Sequence, residues 1–331
     1  MGRRRQAALV LTGVAVAIAG LVFGDIALAG VATQSPLRAA RWLPADRQAH
    51  ALAYEPTECS SLATDPQLAH RIAIGRAAFR TPLLLGGQAS RADLSCNSCH
   101  RSGRGNPDFQ FRGLSGAPGT ADVTSSLMSS HRGDRIDNPK PIPDLSGPQD
   151  KLKVSRDPAD RKLETFIHGL IGEEFDGPEP TTMTLDGLAT YVRALSPRGC
   201  PAVTEQRISL AEYLADARVA MQATQFALDA HDRATARLML ASARSALGMI
   251  DERYAAPALA HDRELLRDAD LELAAIQDAV DTGKTDVTLR IAAWLAKSPR
   301  WIAPLERDET LSLFNPKRLE ASINPASRES P

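Results

Sequence analysis

The chain has 331 residues, of which 39 are lysine or arginine and 40 are aspartate or glutamate, so its formal net charge is −1. This length is sufficient for two ordinary domains, and the balanced charge excludes the strongly basic face that nucleic-acid binding requires. Hydrophobic residues make up 43% of the chain and charged residues 24%, which is typical of a folded globular protein rather than a disordered one.

The first segment, residues 1–30, has the features of an export signal. Three arginines at 3–5 precede a predominantly apolar run from Ala7 to Gly24, which ends in the small-residue sequence Ala27-Leu28-Ala29-Gly30. Because the run is close to the minimum length for crossing a bilayer, the segment is predicted to be a signal peptide or a retained membrane anchor. In both cases we expect a periplasmic protein, tethered to the inner membrane where the segment is retained.

Residues 31–58 show no clear hydrophobic period and are predicted to be a linker or an arm that wraps the next domain. Trp42 and Tyr54 would pack on the surface of that domain. Apolar residues at helical spacing then predict a helix over Pro66–Phe79. The following stretch, Thr81–Ala92, contains a proline and two glycines and is predicted to be a loop.

The sequence Cys96-Asn97-Ser98-Cys99-His100 has the pattern that attaches c-type haem. A two-residue spacer suits one helical turn that presents both thiols to one porphyrin edge, and the adjacent His100 would be the proximal iron ligand. A zinc site would need a second pair of ligands at matching spacing, a thioredoxin-like pair would need a βαβ context, and a disulfide would be strained at this spacing. The pattern therefore favours one covalently bound haem c.

The flanks of this motif resemble a known family. Ile74-Gly75-Arg76-Ala77-Ala78-Phe79, a Pro-Leu-Leu loop and the sequence Leu94–His100 are similar to the bacterial di-haem cytochrome c peroxidases and their methylamine-utilisation relatives. The segment Leu185–Leu195 resembles the last helix of class I cytochrome c domains, which crosses the first helix and shields the haem. The resemblance covers about Ile74–Pro197 and implies an all-α, class I-like cytochrome c domain over residues 59–200.

The chain departs from that family in two respects. It has one attachment motif where the family peroxidases hold two haems, and Gly172-Glu173-Glu174 stands where the family's distal methionine is expected. Met183 is then the nearest substitute as distal ligand, His168 is an alternative, and Met128 with His131 forms a further candidate pair. An open or water-bound iron is the remaining alternative.

In the same family, a loop that corresponds to residues 130–147 wraps the haem edge. Arg132 and Arg135 are therefore candidates for contacts with the haem propionates, since guanidinium groups pair well with carboxylates. The alternative is a solvated loop held by turns between aspartate and arginine. Glu173 and Glu174 would be acid groups over an open distal face, or an exposed pair at the end of a helix over 161–175.

The resemblance also implies a disulfide. In class I cytochromes the first and last helices cross, which brings the ends of the domain together. Cys59 precedes the first of these helices and Cys200 follows the last. A periplasmic location permits a Cys59–Cys200 disulfide, and two unrelated free thiols are the alternative.

After Cys200 the composition becomes rich in alanine, leucine, arginine and aspartate. Short connections between amphipathic helices favour an antiparallel α-helical bundle over residues 201–312, or a pair of helical repeats. Residues 313–331 contain few apolar side chains and are predicted to be a flexible tail. The predicted helices are 209–228, 232–250, 258–280 with a C-cap at Gly283, and 287–297 with an end at Ser298-Pro299.

The sequence therefore predicts an all-α, exported mono-haem c-type cytochrome that transfers electrons to a redox partner protein, with an added C-terminal helical domain. That domain would dock the partner or hold the membrane. The alternative is a cytochrome c peroxidase-like oxidoreductase that reduces peroxide at an open haem iron. Distal ligation separates the two, because a six-coordinate iron suits electron transfer and an exchangeable position permits peroxide chemistry.

Overall fold

The architecture is that of a computed structural model. The predicted export segment, the propionate candidate Arg135 and the last residues of the predicted tail lie outside the described residues. Within the described part, no helix is both long enough and apolar enough to cross a membrane. The described residues are 35, 37–61, 63–124, 127–133 and 136–323.

The described chain is mostly helical, in agreement with the predicted all-α class. A π-helical turn, Leu170–Glu174, directly follows the α-helix Lys162–Gly169. The α-helices are α1 (Gln48–Ala53), α2 (Pro66–Phe79), α3 (Gly87–Arg91), α4 (Cys96–Cys99), α5 (Lys162–Gly169), α6 (Thr182–Ala194), α7 (Leu210–Asp229), α8 (Arg233–Arg253), α9 (Ala260–Asp281), α10 (Val287–Asp308) and α11 (Pro316–Ile323). The 3₁₀ turns are Arg38–Trp42, Pro82–Leu84, Arg101–Gly103, Gln149–Lys151, Pro197–Gly199, Pro257–Leu259 and Glu309–Leu311.

Short strands join distant parts of the chain. The strands are β1 (Tyr54–Pro56), β2 (Thr120–Ala121), β3 (Lys140–Pro141) and β4 (Glu205–Arg207). Strand β1 pairs antiparallel with β4, with Glu55 opposite Gln206. Strand β2 pairs antiparallel with β3, with Thr120 opposite Pro141. The first pair ties the N-terminal arm to the segment that precedes α7.

Helix α2 has the bounds that the sequence predicts. Its N-cap, Asp65, accepts hydrogen bonds from the backbone N–H groups of Gln67 and Leu68, which would otherwise lack partners. The helix crosses α6 at Gly75 and Gly187, where a Cβ atom on Gly75 would clash with the Gly187 carbonyl group. Two glycines thus allow the backbones of α2 and α6 to approach closely.

The main core is continuous along the described chain. Helix α7 packs along α8, α8 along α9, and α9 along α10, while α2 packs on both α6 and α7. We call residues 59–200 the motif region and helices α7–α11 the C-terminal helices. The main core unites buried side chains from both, among them Ile74, Tyr191, Met221, Ile250, Leu273 and Ile291.

The disulfide between Cys59 and Cys200 is confirmed. Cys59 is fully buried, and the next residue, Ser60, forms an antiparallel bridge with Leu195. The disulfide therefore closes the motif region where its two ends already lie side by side.

The prediction of a loop over Thr81–Ala92 is wrong for most of that stretch. A 3₁₀ turn and α3 form instead, and Gly86 and Gly87 adopt φ values of 61° and 46° where α3 begins. Cβ atoms on these glycines would contact the backbone of Phe175 and Asp176. Tertiary packing against that segment, which a local pattern does not reveal, stabilises the short helix.

Helix α10 does not end at Ser298-Pro299 as predicted. It continues through Pro299 and Pro304 to Asp308. Proline at 299 has no N–H for the carbonyl of Leu295 four residues earlier, and the hydroxyl of Ser298 donates to that carbonyl at 2.8 Å. This substitute hydrogen bond and the burial of nearby tryptophans allow the helix to continue. By contrast, Gly283 has a φ of 65° just after α9 and confirms the predicted C-cap.

The predicted flexible tail is wrong for residues 313–323. The backbone N–H of Leu313 donates to the carbonyl of Arg253 at 2.8 Å. Helix α11 then packs against α1, and Leu319 is buried in a small cluster with Leu37 and Leu52. Leu319 and the buried Phe314 anchor this segment to two hydrophobic clusters.

Candidate functional site

Cys96 and Cys99 are the first and last residues of α4, a single helical turn. The Ser95 side chain accepts a hydrogen bond from the backbone N–H of Ser98, and the Ser98 hydroxyl accepts one from the N–H of Ser95 at 3.0 Å. Residues three apart in a helix lie on one face, so this reciprocal cap holds both thiols on one side of the turn. Neither thiol is in a disulfide.

The surroundings of both thiols are apolar. Cys96 contacts the main core, and both cysteines contact a second cluster. Burial raises the pKa of each thiol to about 12, so both are protonated at neutral pH. A thiol–disulfide exchange pair needs an accessible thiolate, which makes the thioredoxin-like alternative a poor match. The second cluster consists of Leu85, Ala89, Leu94, Phe109, Leu114 and Met128.

His100 directly follows the turn, and a distant loop orients its ring. Its Nδ1 atom lies 3.1 Å from the carbonyl oxygen of Pro143. A carbonyl can only accept, so Nδ1 carries the proton and Nε2 keeps a free lone pair. Burial lowers the pKa of His100 to about 4, so the imidazole is neutral, which is the form that binds metals. This geometry leaves Nε2 as the ring nitrogen that is available to a ligand.

The Pro143 carbonyl is held in place by the next residue. The Asp144 carboxylate accepts hydrogen bonds from Arg104 Nε at 2.8 Å and from the backbone N–H and hydroxyl of Ser146 at 2.8 and 2.6 Å. Burial opposes ionisation of Asp144, but the hydrogen bonds from Ser146 and Arg104 lower its pKa overall. Sequence reasoning missed Pro143, and the rigid Pro141-x-Pro143-Asp144 run is the signal that marks an ordered loop.

Two aromatic rings connect His100 to the crossing of α2 and α6. The centroid of Phe79 on α2 lies 6.5 Å from that of His100 and 5.2 Å from that of Tyr191 on α6. Tyr191 is fully buried. The helix crossing and the motif thus form one packed unit, which fixes the imidazole relative to both helices.

The candidate distal ligands lie in different surroundings. Met183, near the start of α6, is partly buried against the main core. His168 is half exposed, and its Nε2 lies 2.9 and 3.0 Å from the carboxylate oxygens of Glu179. Met128 is buried within the second cluster, which both cysteines contact. His131 is exposed beside Asp176. Of these four, Met128 is the one that the fold places in the apolar cluster next to the motif.

Arg132 pairs with the carboxylates of the π-helical turn. Its guanidinium group contacts Glu173 closely and lies 3.5 Å from an oxygen of Glu174. Arg132 and both glutamates therefore form a mutual cluster, in which the arginine is half exposed.

Glu174 is buried, and one of its carboxylate oxygens has no hydrogen-bond partner among the described residues. The residue is 8% exposed, and that oxygen is Oε2. Burial raises its pKa, although Arg132 acts in the opposite direction. Cβ atoms on Gly169 and Gly172 of the same helical segment would meet no heavy atom within 4 Å. Glu174 is thus a buried carboxyl group whose pKa is raised, on a helical segment whose glycines face open space.

Among the described residues, no group of three or more His, Cys, Asp or Glu side chains is arranged to hold a metal ion. A haem iron needs fewer protein ligands, because the porphyrin supplies four nitrogens and the protein one or two axial groups. The two free thiols on one face of α4 and the oriented His100 have the chemistry that covalent haem attachment requires. Comparison with protein-family models, curated proteins and solved structures finds no match to this chain.

Proposed function

We propose that the chain is an exported c-type cytochrome that transfers electrons through a single haem. Cys96 and Cys99 would hold the haem covalently, and His100 would be the proximal ligand. The observation that carries this proposal is the 3.1 Å contact between His100 Nδ1 and the Pro143 carbonyl, because it leaves Nε2 available next to two free thiols. Haem supplies the one-electron chemistry when bound.

The role of each residue follows from its surroundings. Cys96 and Cys99 would each hold the haem through a thioether bond, formed by addition of S–H across a vinyl group, which needs no oxidant but requires reduced cysteines. The protonated state of Cys96 and Cys99 and their absence from the disulfide fit this requirement. The neutral imidazole of His100 would bind the iron without first losing a proton.

The packing around the motif supports a class I-like cytochrome c domain over residues 59–200. The first and last helices of such a domain cross, and α2 and α6 make close contact at Gly75 and Gly187. The Cys59–Cys200 disulfide supports export, since disulfides persist in oxidising compartments such as the periplasm. The C-terminal helices would form the bundle that docks a redox partner or holds the membrane.

We propose a methionine as the distal ligand. Met183 is the candidate nearest to the last helix, and Met128 is the candidate packed with the cysteines. His168 would first have to lose its hydrogen bonds to Glu179. A thioether ligand favours ferrous iron and suits an electron carrier.

Covalent attachment is tested by denaturing gel electrophoresis followed by haem staining. We expect colour to stay with the polypeptide of the wild type and to disappear in the Cys96→Ser/Cys99→Ser variant. The matched control is Cys59→Ser/Cys200→Ser, which also removes two cysteines but should retain the stain. Staining of the first variant, or an unstained wild type expressed with a functional haem-attachment system, would disprove the proposal.

Distal ligation is tested by spectroscopy on the oxidised protein. A methionine ligand gives a weak sulfur-to-iron charge-transfer band in the near infrared, and replacement of that methionine by alanine should abolish the band and lower the reduction potential. Met183→Ala and Met128→Ala are each other's control, because only one of them should have this effect. A bis-imidazole spectrum that His168→Ala converts to high spin would instead assign His168.

A peroxidase-like oxidoreductase is the second candidate function, and Glu174 is the observation that favours it. A buried carboxyl group with a raised pKa would move a proton to or from a peroxide oxygen. This function requires a high-spin, exchangeable iron, ready binding of cyanide and loss of peroxide turnover in Glu174→Gln. Glu173→Gln is the control, because its side chain is exposed.

A further inference from the structure

A partly open cavity of about 150 Å³ lies behind the attachment turn. The spacer residues Asn97 and Ser98 and the next arginine, Arg101, line it, whereas Cys96, Cys99 and His100 do not. Helices α2, α7 and α8, the N-terminal arm and the loop after α4 form its other walls, and the exposed residues Ala39 and Met249 border it. The cavity is therefore distinct from the side of α4 that the thiols occupy.

Three arginines that line the cavity are neutralised by carboxylates. Arg76 lies 2.8 Å from Glu58 and also contacts Asp216, and Arg80 reaches the same two carboxylates at 3.3 and 3.2 Å. Arg38 contacts Glu252 and lies 3.2 Å from Asp93. These three arginines face four carboxylates, so they leave no positive charge for a ligand.

Arg101 and Arg253 line the same cavity without an ion pair to any described residue. Arg253 donates to the backbone carbonyls of Leu313 at 3.1 Å and Leu52 at 2.8 Å, which are uncharged acceptors. The guanidinium group of Arg101 donates no hydrogen bond to the described residues. Glu55 also lines the cavity and attracts Arg101 electrostatically. Arg101 is therefore the arginine of this cavity whose guanidinium group has neither a hydrogen bond nor an ion pair with the described residues.

The remaining walls are mainly apolar. Leu52, Phe109, Ile208 and Ala246 are all buried and line the cavity. A volume of 150 Å³ accommodates a molecule about as large as benzene. A fully hydrated phosphate ion does not match apolar walls, whereas an organic anion with a small hydrocarbon body matches both the walls and the charge.

We propose that this cavity binds a small organic monocarboxylate, whose carboxylate group accepts hydrogen bonds from the guanidinium group of Arg101 and whose apolar part packs against Phe109 and Ile208. The two oxygens of such a ligand would accept paired hydrogen bonds from the Arg101 guanidinium group, which has no acceptor among the described residues. The ligand would lie directly behind the haem-attachment turn, although its binding does not depend on the proposed electron-transfer function.

The test is isothermal titration calorimetry of the full chain as isolated, with benzoate and butyrate as probes and inorganic phosphate for comparison. We expect saturable one-to-one binding of a carboxylate and at least tenfold weaker binding of phosphate. Arg101→Gln should weaken carboxylate binding at least about tenfold, because a charged hydrogen-bond pair is lost. Arg112→Gln, which changes an exposed arginine nearby in sequence, should bind as the wild type does.

A second variant is needed, because Arg101→Gln would also lose binding if it failed to fold. Ala246→Leu fills the cavity from α8 without changing a charge, and it should also abolish binding. Wild-type protein that binds neither benzoate nor butyrate at millimolar concentration would overturn the proposal. So would unchanged binding in Ala246→Leu, or equal affinity for phosphate and benzoate. The haem stain of the same samples reports separately on the proposed function.

Discussion

The motif region and the C-terminal helices share one core, but they are held together differently. Helices α7 to α10 have 20 to 22 residues each, so intrahelical hydrogen bonds satisfy most of their backbone. In the motif region, the loops between α4 and α5 depend on side chains. Arg156, for example, donates to the carbonyls of Leu145 at 3.0 Å, Leu195 at 2.7 Å and Gly147 at 2.8 Å. The long C-terminal helices thus support the motif region, where hydrogen bonds from individual side chains maintain the geometry of the loops.

This difference indicates where the molecule places its chemistry. Candidate ligand and attachment groups lie on short helices and loops, which can present side chains and carbonyls in combinations that a long helix does not allow. However, when one of these contacts is lost, no equivalent neighbouring contact compensates for it. Comparable substitutions should therefore have larger effects in the motif region than in the C-terminal helices, either on global stability or on local structure, and three matched pairs of variants test this expectation.

The largest difference is expected for glycine-to-alanine changes in helices. Gly75→Ala would place a Cβ atom against the backbone of Gly187, and separating α2 from α6 should lower the free energy of unfolding by about 3 kcal/mol. Gly248→Ala in α8 meets only the flexible Arg38 side chain at 3.7 Å, so it should raise that free energy by about 0.5 kcal/mol through helix propensity. Urea unfolding measures both, and equal effects would contradict the comparison.

The sequence predicts elements correctly and fails in both regions. It predicts α2 at its observed bounds and α7 as 209–228 against Leu210–Asp229, and in α7 a buried face repeats along the whole helix. It fails at α3, at Pro299 in α10 and at α11. There, contacts with distant residues or a substitute hydrogen bond outweigh the local signal.

The candidate site likewise contains some residues that the sequence predicts and others that it does not. Cys96, Cys99 and His100 follow from a spacing of adjacent residues. The partner of His100 does not, because Pro143 lies on a loop 43 residues away whose conformation depends on tertiary contacts. The cavity beside Arg101 brings together the arm, α4, α7 and α8, a juxtaposition that no periodic pattern encodes.

An intermediate effect is expected for two bidentate ion pairs. In the motif region, Arg193 donates to both oxygens of Glu164 at 2.7 and 2.8 Å, and the glutamate residue is buried. In the C-terminal helices, Arg244 donates to both oxygens of Asp270 at 2.7 and 3.0 Å, and about a third of each side chain is exposed. Glu164→Gln should lower the free energy of unfolding by about 2 kcal/mol and Asp270→Asn by about 0.5 kcal/mol. Chemical denaturation at neutral pH measures both values.

The pH dependence of Glu164 sharpens this comparison. Hydrogen bonds from Arg193 hold the pKa of Glu164 below its ordinary value in the folded state. A depressed folded pKa gives stabilisation that is complete above the unfolded value, about 4.3, and is lost as pH falls through the folded pKa. The difference in stability between the wild type and Glu164→Gln should therefore shrink below about pH 4. A difference that stays constant from pH 7 to pH 3 would show that the pair contributes through shape alone.

The smallest global effect is expected for the two capping boxes, one in each region. Ser95 caps α4, with Ser98 as its reciprocal partner, and Ser209 caps α7, with Glu212 as its partner. Ser95→Ala and Ser209→Ala should each lower the free energy of unfolding by about 1 kcal/mol. Global unfolding measurements alone would therefore not distinguish them.

Local measurements should separate the two variants clearly. Helix α4 has four residues, and the hydrogen bond from the His100 N–H to the Cys96 carbonyl at 2.8 Å closes its single turn. Because one turn fixes several dihedral angles for very few hydrogen bonds, loss of the cap should open the whole turn and speed hydrogen exchange at the His100 amide. Helix α7 has 20 residues, so loss of its cap should affect exchange only in its first turn. Unchanged exchange at His100 in Ser95→Ala would mean that the contacts of Cys96 and Cys99 with the second cluster, rather than the capping box, hold the two thiols on one face.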